Sequence, residues 1–130
     1  MTTLDADGLL AMVTQSYFAN VDRKSLAPVL ACFHPDATLT VQTDNLTHTG
    51  RDQGIARMFT DFFAAFPIIW HGDFEPVVDV GRQSVAVRFN ALRGRADGGE
   101  ERAKNINLFV FKDGKFQSVT IWMSDENPLR

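Results

Sequence analysis

The sequence predicts an α+β domain, with helices laid on one face of an antiparallel sheet. Two changes of period carry that prediction. Apolar residues recur at helical spacing through the first half of the chain, and at a spacing of two from His71 onward. A third observation is hairpin chemistry in the second half, where Asp97-Gly98 and Asp113-Gly114 interrupt the alternating runs. Glycine accepts a positive φ at little cost, which a tight hairpin requires.

Leu10, Val13, Tyr17 and Val21 define a first helix from about Asp7 to Val21. Ser25 is placed to N-cap a shorter second helix bearing Leu26, Val29, Leu30 and Phe33. Pro28 is tolerated there because first-turn amides have no partner inside the helix, and Pro35 ends the segment. Residues 37–42 alternate as a strand, and Gly50 breaks the chain before a third helix. Ile55, Met58, Phe59, Phe62, Phe63 and Phe66 mark the apolar face of that helix, which Pro67 stops. Long strands then follow over 74–80, 84–95, 101–112 and 116–123. Pro76 favours an edge strand or a bulge for the first of these. Arg88 and Asn90 share one face of the second, either solvated or part of a wet dimer contact.

With 130 residues and no repeat, linker or low-complexity tract, the whole chain, residues 1–130, reads as one domain. A net charge of -3 without any Lys/Arg run argues against a phosphate-binding footprint, so no nucleic-acid partner is expected. The single Cys32 excludes an internal disulfide and a multi-cysteine metal site. Three histidines without closely spaced carboxylates give no metal site either. The N-terminus lacks the basic and apolar regions of a signal peptide, and no apolar run reaches membrane-spanning length. The simplest expectation is a cytoplasmic protein without a membrane partner. Eleven Phe residues stand out, and they serve either a packed core or the wall of an apolar ligand cavity.

Three pieces, taken in order, resemble the nuclear transport factor 2-like superfamily. They are Phe33-x-x-Asp36-Ala37-Thr38, the helix from Gly50 to Phe66, and Phe109-x-Phe111-x-Asp113-Gly114-Lys115. That superfamily includes SnoaL-like polyketide cyclases, ketosteroid isomerases and scytalone dehydratases, and the resemblance covers nearly the whole chain. It implies a cone-shaped domain in which three N-terminal helices pack on a curved antiparallel sheet around an apolar pocket. It also implies a homodimer, a small apolar molecule as partner, and no cofactor.

In detail, Val21-Asp22-Arg23 and Ile69-Trp70-His71 resemble scytalone dehydratases and hexachlorocyclohexane dehydrochlorinases. Those enzymes keep an aspartate just past the first helix and a histidine at the start of the first long strand. The chemistry is coherent, because a carboxylate on one imidazole nitrogen fixes the tautomer and leaves the other to take a proton. Tyr17 matches the helix-borne tyrosine of ketosteroid isomerases, and Asn107 stands where that family keeps a protonated aspartic acid. The general-base aspartate of that family, however, falls on Val41. Asn105-x-Asn107 replaces the Arg-x-Asp pair of limonene epoxide hydrolases. Trp122 followed by Asp125 resembles the end of the SnoaL-like cyclases, with the spacing off by about one residue.

The expected catalytic residues are therefore His71, Asp22 and Tyr17, and the expected ligand contacts are Asn107, Asn105, Phe59, Phe63, Trp70 and Trp122. Plainer roles stay open for each: Asp22 as a turn residue, His71 at a strand start, Tyr17 in the core. Three functions follow. One is a cofactor-independent lyase or isomerase acting on a small apolar or polyketide-like substrate. The others are a non-catalytic small-ligand-binding protein and a dimerisation module whose cavity is filled by Phe59, Phe63 and Trp70.

Overall fold

A computed structural model describes residues 2–130. Three helical segments precede most of a six-stranded sheet. Helix α1 spans residues 6–22, beginning at an Asp5 cap whose carboxylate accepts from the Gly8 amide at 2.8 Å. Its middle, Met12–Phe18, widens into π-type turns, as the Ala19 amide bonding the Thr14 carbonyl shows, and α geometry returns over Ala19–Asp22. Helix α2, Leu26–Leu30, follows a turn in which Lys24 takes φ 57°. Ser25 sits at its N-cap, but its side chain makes no capping bond there. Helix α3 runs over residues 50–65.

The strands are β1 Phe33–Val41, β2 Leu46–Thr49, β3 Ile68–Asp79, β4 Ser84–Gly94, β5 Glu100–Lys112 and β6 Lys115–Met123. Their order is β2-β1-β6-β5-β4-β3. The sheet is mixed, which corrects the all-antiparallel expectation, because β1 and β6 pair in parallel. The first strand is thereby paired with the last, which no local signal in either segment announces. Pro35 lies within the β1 stretch where that register slips, and it has no amide to give the ladder. Strand β2 lies in what reads as a loop in the sequence, and β3 starts six residues earlier than the alternation from Phe74 suggests. Pro76 does fall on an edge strand.

The two Asp-Gly hairpins differ. Asp113 and Gly114 take φ 50° and 79°, the paired positive angles of a two-residue hairpin turn. At the other, Gly98 alone is positive and its amide closes the turn onto the Arg95 carbonyl at 3.0 Å.

Helices α1 and α3 cover one face of the sheet, here called the inner face. Tyr17 and Phe18 of α1 meet Phe109 and Phe89 of the sheet edge-to-face or tilted, at centroid distances of 5.4 and 4.8 Å. All eleven Phe lie in this core or pack against it. Alternation along the strands puts Val85, Val87, Phe89, Ala91 and Arg93 of β4 inward, and likewise Ala103, Asn105, Asn107 and Phe109 of β5. No helix among the described residues is long and apolar enough to cross a membrane.

Candidate active site

Asp22 is the last residue of α1, and the turn at Lys24 redirects the chain immediately after it. Its carboxylate faces the start of β3. There Asp22 Oδ1 lies 2.6 Å from His71 Nδ1, and Oδ2 accepts from the His71 backbone amide at 3.1 Å. One carboxylate thus holds both the ring and the main chain of His71. A carboxylate only accepts, so the ring proton sits on Nδ1 and Nε2 carries the free lone pair. Phe18 and Phe89 flank the ring at 5.0 and 5.6 Å, leaving the side chain 13% exposed against 24% for Asp22. Just beyond, β3 bulges between Gly72 and Glu75, and Asp73 takes φ 55° with its carboxylate accepting from Asn90 at 2.8 Å. The bulge ends regular pairing beside His71.

His71 borders a cavity that Tyr17, Phe59, Arg93, Asn105 and Asn107 also line. Its volume is about 30 Å³, room for about two waters. Burial pushes the Tyr17 phenol far above its ordinary range, with the nearby Cys32 and Asp22 adding to the effect, so it is a neutral hydrogen-bond donor at any physiological pH. Asn105 accepts from the Ser124 amide at 3.4 Å, while Asn107 Oδ1 is enclosed without a partner among the described residues. Arg93 closes one end, its Nη2 bonded to Glu101 Oε1 at 2.9 Å. The hydrogen bonds from Arg93 and then Arg95 hold the Glu101 carboxyl below its usual range. The mouth is stopped by the C-terminal strap, where Pro128 and a buried Leu129 join the lining.

The structure brings together His71, Asp22, Tyr17, Asn105, Asn107 and Phe59. It separates the other three. Trp70 and Trp122 neighbour the inward Ile69 and Ile121, so alternation turns both to the outer face, 44% and 43% exposed. There the Trp70 ring lies over Gly72, whose added Cβ would meet it at 2.2 Å. Phe63 is packed against Phe59 and Phe62 without reaching the cavity. Phe18, Phe89, Arg93 and Leu129 line the cavity without having been singled out in the sequence. Arg93 had a signal: it continues the alternating inward row of β4 with a charge. His48, on β2, is buried and bonded through Nε2 to the Leu129 carbonyl at 2.7 Å. Asp125 bonds only its neighbour's amide and stays exposed. No group of three or more potential metal ligands occurs among the described residues.

The profile of the SnoaL-like domain family matches residues 14–119. The chain belongs to that family. No curated protein matches it. Among solved structures, it superposes on SalBIII, an epoxide hydrolase/cyclase-like enzyme of pyran ring formation in the polyether salinomycin, with a TM-score of 0.80 at 18% identity. That match covers 92% of this chain and 93% of SalBIII. A candidate polyketide cyclase from Xanthomonas campestris pv. campestris gives 0.77 at 16% identity, over 89% of this chain and 90% of the other. A protein of ketosteroid isomerase-like fold from Catenulispora acidiphila, solved with trimethylamine, gives 0.74 at 15%, over 92% and 85%. At these identities the likeness is one of fold.

Proposed function

We propose that this SnoaL-like domain is a cofactor-independent lyase or isomerase acting on a small, largely apolar, polyketide-like substrate. The observation that carries the reading is the 2.6 Å Asp22–His71 bond, which leaves Nε2 of the ring free beside an apolar cavity. In this reading His71 is the general base and Asp22 orients it. His71 Nε2 removes a proton from a carbon next to a carbonyl, and Asp22 stabilises the imidazolium that forms. Charge moves onto the carbonyl oxygen, where the neutral Tyr17 hydroxyl donates a hydrogen bond and the Asn107 amide adds a second polar contact. The proton on Nε2 then returns to a different carbon in an isomerisation. In an elimination it follows the leaving group, and the carbon–hydrogen electron pair becomes the new double bond.

Solvent exchange tests this without knowledge of the substrate. A panel of small cyclic ketones in D₂O is expected to incorporate deuterium at the α-carbon, followed by mass spectrometry. His71→Ala and Asp22→Asn, still folded, should lower that rate at least about a hundredfold, the scale of one general base. Incorporation at the same rate in wild type and His71→Ala would sink the proposal.

A second reading, ligand binding without turnover, draws on two features. Asn107 stands where related enzymes keep an acid, and Val41, at the position of the isomerase base, is fully buried. We also infer a homodimer formed through the outer sheet face.

A further inference from the structure

We propose that Arg93 is the specificity residue of the pocket, selecting small organic acids that present a carboxylate to its guanidinium. The proposal rests on the reading of the cavity as a small-molecule site. It does not depend on turnover.

Arg93 is only 4% exposed, yet among the described residues one alone of its five N–H donors is used, in the bond from Nη2 to Glu101. Its Nε is enclosed and has no partner among the described residues. Nε and Nη2 form one edge of the guanidinium fork, the edge that grips a carboxylate with two parallel bonds. Glu101 cannot complete that grip, because its second oxygen accepts from Arg95 Nη1 at 3.1 Å. One carboxylate is thus divided between two guanidiniums. A buried donor without an acceptor costs free energy until something supplies one. Phe66 holds the guanidinium in place, its ring centroid 5.6 Å from the central carbon.

Small neighbours make room for the acceptor. Arg93 ends the inward row of β4, and the preceding inward residue is Ala91, which stands opposite both His71 on β3 and Ala103 on β5. Ala91 therefore floors the space between Arg93 and His71, with the small Ala103 on its other side. Inward residues two apart on a strand are separated by about 7 Å, so an acid held at Arg93 would lay its next few carbons beneath the imidazole. The apolar body of such a ligand would meet Phe18, Phe59 and Phe89. A neutral amide of the same shape could satisfy one donor but leave the charge of Arg93 without a new counterion.

The test is a binding comparison of matched acids and amides small enough for the cavity: formate against formamide, and acetate against acetamide, at constant ionic strength. Affinity is read by heteronuclear NMR from the backbone amides of Ala91 and Asn105, which every variant keeps, with the Arg93 Nε–H resonance followed in the wild type as well. The wild type is expected to bind each acid at least tenfold more tightly than its amide, with that resonance shifting. Arg93→Lys keeps a cation opposite Glu101 but lacks the fork, and it should reduce the preference to threefold or less with amide binding little changed. Arg93→Gln should abolish the preference, and thermal melting establishes that either variant is folded. An equal response to acid and amide in the wild type, no binding of either acid, or a preference that survives in folded Arg93→Lys or Arg93→Gln overturns the proposal. The same assay in His71→Ala separates the two readings. An acid preference retained there while wild-type deuterium exchange is absent removes the catalytic reading alone. Exchange without acid preference removes this inference alone.

Discussion

Asp22 does two jobs with one carboxylate, and both serve the position of a single ring. Bonding the His71 amide as well as Nδ1 ties the imidazole to the main chain of β3, so ring rotation would break the stronger, shorter bond. This pairing was legible only through family resemblance, since 49 residues separate the partners and no local spacing joins them. Alternation alone could have marked Arg93, as a charge in an inward row, and the same rule turns Trp70 and Trp122 outward, against the expectation that they contact the ligand. Aromatic bulk is a weaker guide to a pocket than parity along a strand. Another residue yields a prediction at this scale. Cys32 is buried, and burial pushes its thiol up from 9.0 to about 11, with Lys115 opposing weakly. Roughly a thousandth of it is thiolate at pH 8, so iodoacetamide should leave the native protein unmodified there while labelling it in denaturant. Because the folded pKa is the raised one, the folded state holds the proton longer than the unfolded chain. Stability is complete below pH 9 and falls as pH rises toward 11. By linkage, the wild type should lose about 2 kcal/mol relative to Cys32→Ala between pH 8 and 10.5, measured by urea unfolding at each pH.

At the scale of elements, the long amphipathic segments are the ones periodicity finds. Helices α1 and α3 and strands β4 to β6 each bury a stripe repeated often enough to stand out against chance. Strand β2 has four residues and only His48 buried among them, too short a run for any pattern. The C-terminal strap has no period at all, and its order comes from tertiary partners. Leu129 is buried against the cavity, its amide bonds Asn127 Oδ1 at 2.7 Å, and its carbonyl bonds His48 Nε2. Arg57 Nη2 lies 3.3 Å from His48 Nδ1 and can only donate, which fixes Nε2–H as the donor to Leu129. Arg130 adds an ion pair to Asp44 at 3.0 Å, an exposed contact of small worth. The strap is therefore the element that sets the small size of the cavity. Leu129→Ala should cost about 2 kcal/mol, the low end for a buried leucine because the irregular strap can readjust. The same change should admit larger apolar probes. An environment-sensitive naphthalene dye is expected to fluoresce more strongly with folded Leu129→Ala than with wild type. Equal dye fluorescence in the two folded proteins would show that the strap does not limit entry.

The whole molecule has an asymmetry that the domain alone leaves unresolved. Its inner face is covered by helices, whereas the outer face presents Ile68, Trp70, Ile106 and Trp122, each more than two-fifths exposed. Trp122 and Ile106 are direct cross-strand partners, and Leu92 sits opposite Trp70, giving two apolar pairs with the Asn90–Lys104 pair between them. Beside these pairs stands Arg88, which the sequence assigns with Asn90 to water or to a wet dimer contact; it grips Glu75 at 2.6 Å, and Arg102, opposite Leu92, pairs with Glu100 at 3.2 Å. Exposed apolar side chains interleaved with paired charges suit a hydrated interface. An open hollow of about 380 Å³ beside Trp70, Leu92 and Arg102 gives a second copy somewhere to seat side chains. A two-fold axis through this face would let each patch cover its own image, which is the geometry a closed dimer needs. Light scattering should therefore return twice the 14.5 kDa chain mass for the wild type. Trp122→Arg adds a charge to this outer face and should return the single-chain mass, with the melting temperature lowered to that of the isolated domain. Because Trp122 points away from the cavity, acid-over-amide binding should survive in that monomer, so assembly and ligand selection can be lost separately.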